Sequence, residues 1–211
     1  MIEVIIVATG LLFITLRILS SNRMLKGRRG EHRVRRVLER LCRRGDFRLI
    51  NDVYIKCCDK EAQIDHILIG KTGIFVIETK TYQGLILGNE RDKEWVQNLY
   101  GEHSFYNPIR QNWGHIRTLK YVLDGACSDW CYHSLVVFPS GTDILTDSDK
   151  VIVLKDLKRK ILSVSNEVLT QEQMDDIESL IRKANIVSRK ERRKHVRRIR
   201  EEFRKKCRWY V

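Results

Sequence analysis

The chain has 211 residues, of which 43% are hydrophobic and 32% charged, enough apolar sequence to build a core and too much for a wholly disordered chain. Two prolines and twelve glycines exclude collagen-like or proline-rich architecture. The net charge of +13 resolves into two basic segments, +8 over residues 23–48 and +11 over 182–211, around a body of −6 over 49–181, a distribution suited to contact with a polyanion, either nucleic acid or an anionic membrane face.

Taken in chain order, the first feature is an uncharged run from Val4 to Leu16 that continues through Arg17 to Leu19. Sixteen residues span roughly 24 Å as a helix, short of a bilayer core of about 30 Å, and Arg17 can extend the usable length by snorkelling. The start, Met1-Ile2-Glu3, is not that of a cleaved signal peptide. Arg23, Lys26, Arg28 and Arg29 follow the run, which gives the charge asymmetry of a single-pass anchor over residues 1–22 with its N-terminus outside and the rest of the chain in the cytoplasm. A buried core helix is the alternative. The six cysteines are scattered with no C-x2-C pair, consistent with reduced thiols.

Residues 28–44 are expected to form an amphipathic helix, with Val34, Val37, Leu38 and Leu41 on one face and arginines on the other. Gly45-Asp46 ends it. A strand is expected over Phe47–Ile55, then a turn over Cys57–Glu61, then a hairpin of Gln63–Ile69 and Gly73–Thr81 about Gly70-Lys71-Thr72-Gly73. Short strands follow at Gly84–Gly88 and around Trp95, and a helix runs from Asn107-Pro108 to about Leu123, with Pro108 suited to its first turn. Strands at Ser134–Phe138 and Val151–Leu154 and helices over 155–163 and 171–185 complete a mixed α/β sheet packed by helices. Residues 189–208 read as a very basic helix that grips nucleic acid, lies on a membrane surface or is simply solvated. Its thin apolar stripe of Val196, Ile199 and Phe203 counts against burial in lipid.

The hairpin carries a register. If the turn is centred between Lys71 and Thr72, Ile69 faces Ile74, Ile67 faces Val76, Asp65 faces Glu78 and Gln63 faces Lys80, and alternation puts all eight on one face of the sheet. Two carboxylates opposed across a sheet destabilise it unless neutralised. A divalent cation would do this, since Mg²⁺ binds one or two carboxylates together with phosphate oxygens and water. The set is then suited to phosphodiester hydrolysis, with Asp65 and Glu78 on the metal and Lys80 orienting water or neutralising developing charge. The plain alternative is a surface patch in which Lys80 screens two carboxylates. An isolated D…E-x-K string is common by chance, but three charged groups on one face of paired apolar strands are not. On the second helix Asn107, Gln111 and His115 share a face at i, i+4, i+8, either contacting phosphate and positioning water, or capping the helix and tying it to the sheet. His66 and Thr79 alternate to the opposite face and are read as structural, and Trp95 and Trp113 as packing residues rather than base-stacking platforms.

GRRGE (27–31), QIDHILIG (63–70), GIFVIETK (73–80), GLILG (84–88), Trp95 and NPIRQNWGHIRTL (107–119) occur in this order. Together they resemble the NERD, or nuclease-related, domain, a branch of the PD-(D/E)XK nuclease superfamily, over about residues 27–140. The resemblance implies an αβββαβ restriction-endonuclease-like core, in a mixed α+β sheet. It also implies that Asp65, Glu78 and Lys80 are the superfamily's acidic and lysine positions, with Glu31 as an additional acidic residue completing a Mg²⁺ or Mn²⁺ site. The proline that leads the superfamily motif is replaced here by Ile64. The organisation expected is an anchor (1–22), a nuclease-related core (23–140), a strand and helices completing it (141–188) and a basic helical tail (189–211). The function expected is metal-dependent hydrolysis of DNA, or less readily RNA, at a membrane-anchored site. The rival is a non-catalytic, membrane-tethered nucleic-acid-binding module.

Overall fold

The structure is a computed structural model that describes residues 25–57, 60–139 and 141–186. The expected anchor and the basic tail over 189–208 lie outside the described residues, and no described helix is long and apolar enough to cross a membrane.

The first helix, α1, covers residues 25–42. It leads into a meander of β1 (Phe47–Cys57), β2 (Lys60–Gly70) and β3 (Gly73–Thr79). Three strands then form an excursion: β4 (Gly84–Leu87), β5 (Glu94–Asn98) and β6 (Glu102–Tyr106). The helix α2 (Pro108–Leu123) brings the chain back to β7 (Tyr132–Phe138), and β8 (Thr142–Leu145), β9 (Val151–Val153), α3 (Leu157–Leu162) and α4 (Gln171–Ala184) follow. The main sheet has the order β1-β2-β3-β7-β9, antiparallel through the meander and parallel from β3 onward. A second sheet, β6-β5-β4-β8, joins the two excursions through the parallel pair β4–β8.

Helices cover both faces of the main sheet, so its central strand cannot alternate. All seven residues of β3 are buried, the continuous apolar run expected of a strand covered on both sides. On one face Ile67, Ile69, Ile74 and Val76 pack with Ile116 and Leu119 of α2 and Met174 and Ile177 of α4. On the other, Leu68, Phe75 and Ile77 pack with Val34, Leu38 and Leu41 of α1 and Leu157 and Ile161 of α3. A side chain on β3 therefore looks at α2 or at α1 according to whether its number is even or odd.

The expected elements are present with shifted ends, and two strands went unanticipated. β6 (EHSFY) is mostly exposed and β8 (TDIL) half-exposed, so neither carries an apolar run to mark it. Trp95 is fully buried and donates its indole N–H to the Asn89 carbonyl at 3.0 Å. A Cβ on Gly88 would lie 2.3 Å from its ring, which explains the spacing of GLILG and the tryptophan. Trp113 keeps 38% of its surface exposed.

Candidate active site

The hairpin register is the expected one from Gly70↔Gly73 through Ile69↔Ile74 and Ile67↔Val76 to His66↔Ile77, and there the β2–β3 ladder stops. The expected cross-strand pairs Asp65–Glu78 and Gln63–Lys80 do not form as ladder pairs. β3 follows β7 instead, through Thr79↔Val137 and the Lys80 N–H donated to the Val137 carbonyl at 2.9 Å. The β1–β2 ladder is interrupted at the same level, between Asn51↔His66 and Val53↔Ile64, where Asp52 takes φ +55°. Alternation changes phase at this break: Ile50 and Ile67 face α2 and α4 on one side of it, Val53 and Ile64 on the other. Gln63 consequently pairs with Tyr54 and donates to the Asp52 carboxylate at 3.2 Å, away from Lys80. Freed from the ladder, Asp65 turns its carboxylate to accept the Thr79 N–H at 2.8 Å.

Glu78 and Lys80, with even numbers, look toward α2. Glu78 is 4% exposed. Its Oε1 accepts from Lys80 Nζ at 2.9 Å and from Gln111 Nε2 at 2.8 Å, while Oε2 lies 3.2 Å from His115 Nε2. Lys80 Nζ also donates to Gln111 Oε1 at 2.8 Å. One amide thus holds both members of the ion pair, and its two ends match an anion and a cation in only one orientation.

Asn107 does not reach this cluster. It is fully buried and caps α2, accepting from the N–H groups of Ile109 and Arg110, while its amide faces the carbonyls of Asn89, Glu90 and Asp92. Its donors and acceptor are committed to placing the helix. Asn112, which the sequence reading passed over, sets the helix's rotation by donating to the Val76 carbonyl at 2.8 Å and Ser134 Oγ at 2.9 Å. The available signal was its position on the same face as Ile109, Ile116 and Leu119: a polar residue in a core stripe demands a partner.

Residues 26–139 match the nuclease-related domain family. The chain belongs to the NERD family. An uncharacterized protein of Bacillus anthracis is 32% identical over 186 residues, covering 85% of this chain and 86% of that protein. No solved structure matches the chain.

Within the NERD domain, Glu31 is brought to the site by α1. Gly30 lets that helix approach closely, since a Cβ there would lie 2.2 Å from Thr81 Cγ2 and 2.9 Å from Pro139 Cγ. The carboxylates then sense one another. Burial pushes the Asp65 carboxyl well above the usual range, reinforced by the charges of Glu78 and Glu31 and opposed by the Thr79 hydrogen bond. Burial, followed by Asp52 and Glu78, raises Glu31 as well. For Glu78 burial again acts upward, but the Lys80 charge and the His115 hydrogen bond outweigh it and hold the group below its ordinary value. Lys80 is the mirror case: burial would lower it, and the Glu78 charge raises it further. His66 is 3% exposed on the α1 side, with Nδ1 2.7 Å from Asn51 Oδ1, and burial lowers its pKa to about 4.

Three hard oxygen donors, of which Asp65 and Glu31 are raised by burial and by neighbouring carboxylates, are a chemical fit for a divalent cation, which would supply the positive charge that Lys80 alone does not. As they stand they are not gathered: among the described residues no group of three or more His, Cys, Asp or Glu side chains is placed to hold a metal ion. The reason lies in their partners. Both Glu78 oxygens face Lys80, Gln111 and His115, and Asp65 is turned to the Thr79 amide.

Proposed function

We propose that this NERD protein is a metal-dependent nuclease that hydrolyses phosphodiester bonds, in DNA rather than RNA, on a restriction-endonuclease-like αβββαβ core. The observation that carries the reading is the buried Glu78–Lys80 pair held by Gln111, beside an Asp65 freed from its ladder in the middle of β2. An ion pair inside a sheet brings little stability over an apolar one, so its support by two residues of α2 favours a chemical role.

Asp65, Glu78 and Glu31 would hold Mg²⁺ or Mn²⁺, which when bound polarises a phosphoryl oxygen and lowers the pKa of water. Lys80 is kept protonated by Glu78, so it acts as a fixed cation: it offsets the negative charge that grows on the phosphoryl oxygens and does not take a proton from water. Gln111 keeps the ammonium at its place. Anchoring by residues 1–22, with the site on the cytoplasmic side of the cell membrane, completes the proposal.

The test is cleavage of labelled single- and double-stranded DNA and of RNA with Mg²⁺, Mn²⁺ or EDTA, beside Glu78→Ala and Lys80→Ala. Metal-dependent cleavage that falls by about 10²-fold or more in both variants is expected. The saturation of both Glu78 oxygens by protein donors favours a second reading, a tethered binding module without catalysis. Salt-sensitive DNA binding with no cleavage under any metal would establish that reading in place of the first. Protease protection of the tail in sealed vesicles tests the topology.

A further inference from the structure

The solvent side of a surface helix is ordinarily polar and charged. On α2 only four of the sixteen residues are exposed: Arg110, Trp113, Arg117 and Tyr121. They stand at i, i+3, i+7 and i+11, a single row along the helix in which cation alternates with ring. The helix contains no Asp or Glu, although residues 49–181 carry a net charge of −6.

The charges of this row are not neutralised by the protein. Arg117 makes no ion pair among the described residues, and Arg110 donates to a neutral group, the Arg91 carbonyl. The third cation of α2, Lys120, is held beside the row by Asp129 at 2.8 Å. The rings are open to solvent as well. Tyr121 is 65% exposed and Trp113 38%, whereas Trp95 is wholly buried.

Trp113 also has space on its inner side. β9 covers β7 only from Val136 onward, which leaves a cavity of about 280 Å³ beside the first half of β7. Trp113 is one wall of it, with Tyr132 and Ser134 of β7, and Lys150 and Lys160 also line it. The indole is therefore a wall between open solvent and a recess edged by cations. Along the helix axis Trp113 and Tyr121 stand about 12 Å apart, with Arg117 midway, one turn from each.

We infer that the outward row of α2 is a binding surface for single-stranded nucleic acid. One unpaired base stacks on Trp113 in the mouth of the cavity, a second stacks on Tyr121, and the phosphates between them meet Arg117. Rings alternating with cations fit a strand whose bases are unstacked and whose backbone is charged throughout. A duplex fits poorly, because its bases are already stacked on one another. The row faces away from the sheet, so the part of the strand it holds is not the part presented to Lys80. The inference rests on the nucleic-acid half of the proposed function and not on catalysis.

The test uses the full chain with EDTA and a fluorescein-labelled DNA 20-mer of mixed sequence, either single-stranded or annealed to its complement. Tyr121→Ala and Trp113→Ala should each weaken single-strand binding by about fivefold or more, with duplex affinity unchanged. Neither should alter the slope of log K against log salt for the single strand. Arg117→Gln should lower that slope by about 0.7. Trp113→Phe, which keeps a ring, should recover most of the affinity lost in Trp113→Ala. Thermal melts check that each variant is folded, and Tyr121, the more exposed ring, decides the outcome if Trp113→Ala is not. A Tyr121→Ala protein that binds single strands as the parent does would overturn the inference. So would equal losses for single strand and duplex, or a parent that binds no single strand. A parent that never cleaves but shows the losses confined to single strands removes catalysis and keeps the surface. A parent that cleaves, with ring variants that bind and cleave single strands equally well, does the reverse.

Discussion

Gly30→Ala tests whether α1 places Glu31 by contact. Two effects compete. Replacing a helical glycine by alanine gains about 0.5–1 kcal/mol from backbone entropy. Against this, the new methyl would lie 2.2 Å from Thr81 Cγ2 and 2.9 Å from Pro139 Cγ, where ordinary contacts are about 3.5–4.0 Å. Rotation of Thr81 can relieve the first contact, but the proline ring cannot turn away, so α1 must move outward by somewhat under 1 Å, or more if Thr81 stays. Overpacking of this kind costs about 1–3 kcal/mol, so the clash wins. The net loss should lower Tm by a few degrees in a chain of this length. The same displacement carries Glu31 from the acidic cluster, and a misplacement of about 1 Å reduces turnover by about 10²-fold. Urea unfolding and metal-dependent cleavage measure the two effects, and adding Thr81→Ser, which deletes Cγ2, should recover part of the stability. A Gly30→Ala protein as stable and as active as the parent would refute the reasoning outright.

His66 is neutral in the fold, with a pKa of about 4 against about 6.5 unfolded. Its contribution is fully present above pH 6.5 and is lost as pH falls toward 4, by about 3 kcal/mol. NMR titration of the ring in EDTA measures this directly, and a midpoint near 6.5 would contradict it. Asp65 has the opposite sign: its raised pKa gives stability present below the ordinary aspartate range and lost as pH rises through the folded value. Asp65→Asn should therefore be more stable than the parent at pH 7 without metal, and less responsive to added Mg²⁺, in thermal melts; a destabilised variant would count against it. Gln111→Ala should lower the cleavage rate by about 10–10²-fold with DNA affinity unchanged, because it frees the Glu78–Lys80 pair without removing a positive charge. A matched loss of affinity would place Gln111 on the substrate instead.

The register of the β2–β3 hairpin could be read from sequence because two constraints agree there, a Gly-x-x-Gly turn and an apolar pattern on both arms. Its early end could not. Alternation assumes an unbroken ladder, and the break falls level with Asp52 on a different strand, whose left-handed φ no glycine announces. The helical spacing of Gln111 and His115 was legible, but not that Glu78 is their shared partner, since this depends on the rotation fixed by Asn112. For Asn107 the sequence leaves capping and a site role both open, because a cap's side chain has both oxygen and nitrogen and sequence does not show that the nitrogen meets the carbonyls of Asn89, Glu90 and Asp92. The strands β6 and β8 were invisible for a simpler reason: their pairing comes from long-range partners, not from their own composition.

The parallel pairing of β3 with β7 also governs the order in which the chain can assemble. β3 meets β2 across a two-residue turn, but reaches β7 only after the 52 residues from Lys80 to Cys131, and closing the longer loop costs about 3 kcal/mol more in chain entropy. The meander can therefore form first, bringing Asp65 and Glu78 into one sheet while Gln111 and His115 are still unplaced. Pulse-labelled hydrogen exchange should find β1–β3 amides protected before those of β7. During synthesis the acidic half of the site leaves the ribosome some thirty residues ahead of the helix that restrains it, so a nascent or truncated chain carries the charge without the geometry.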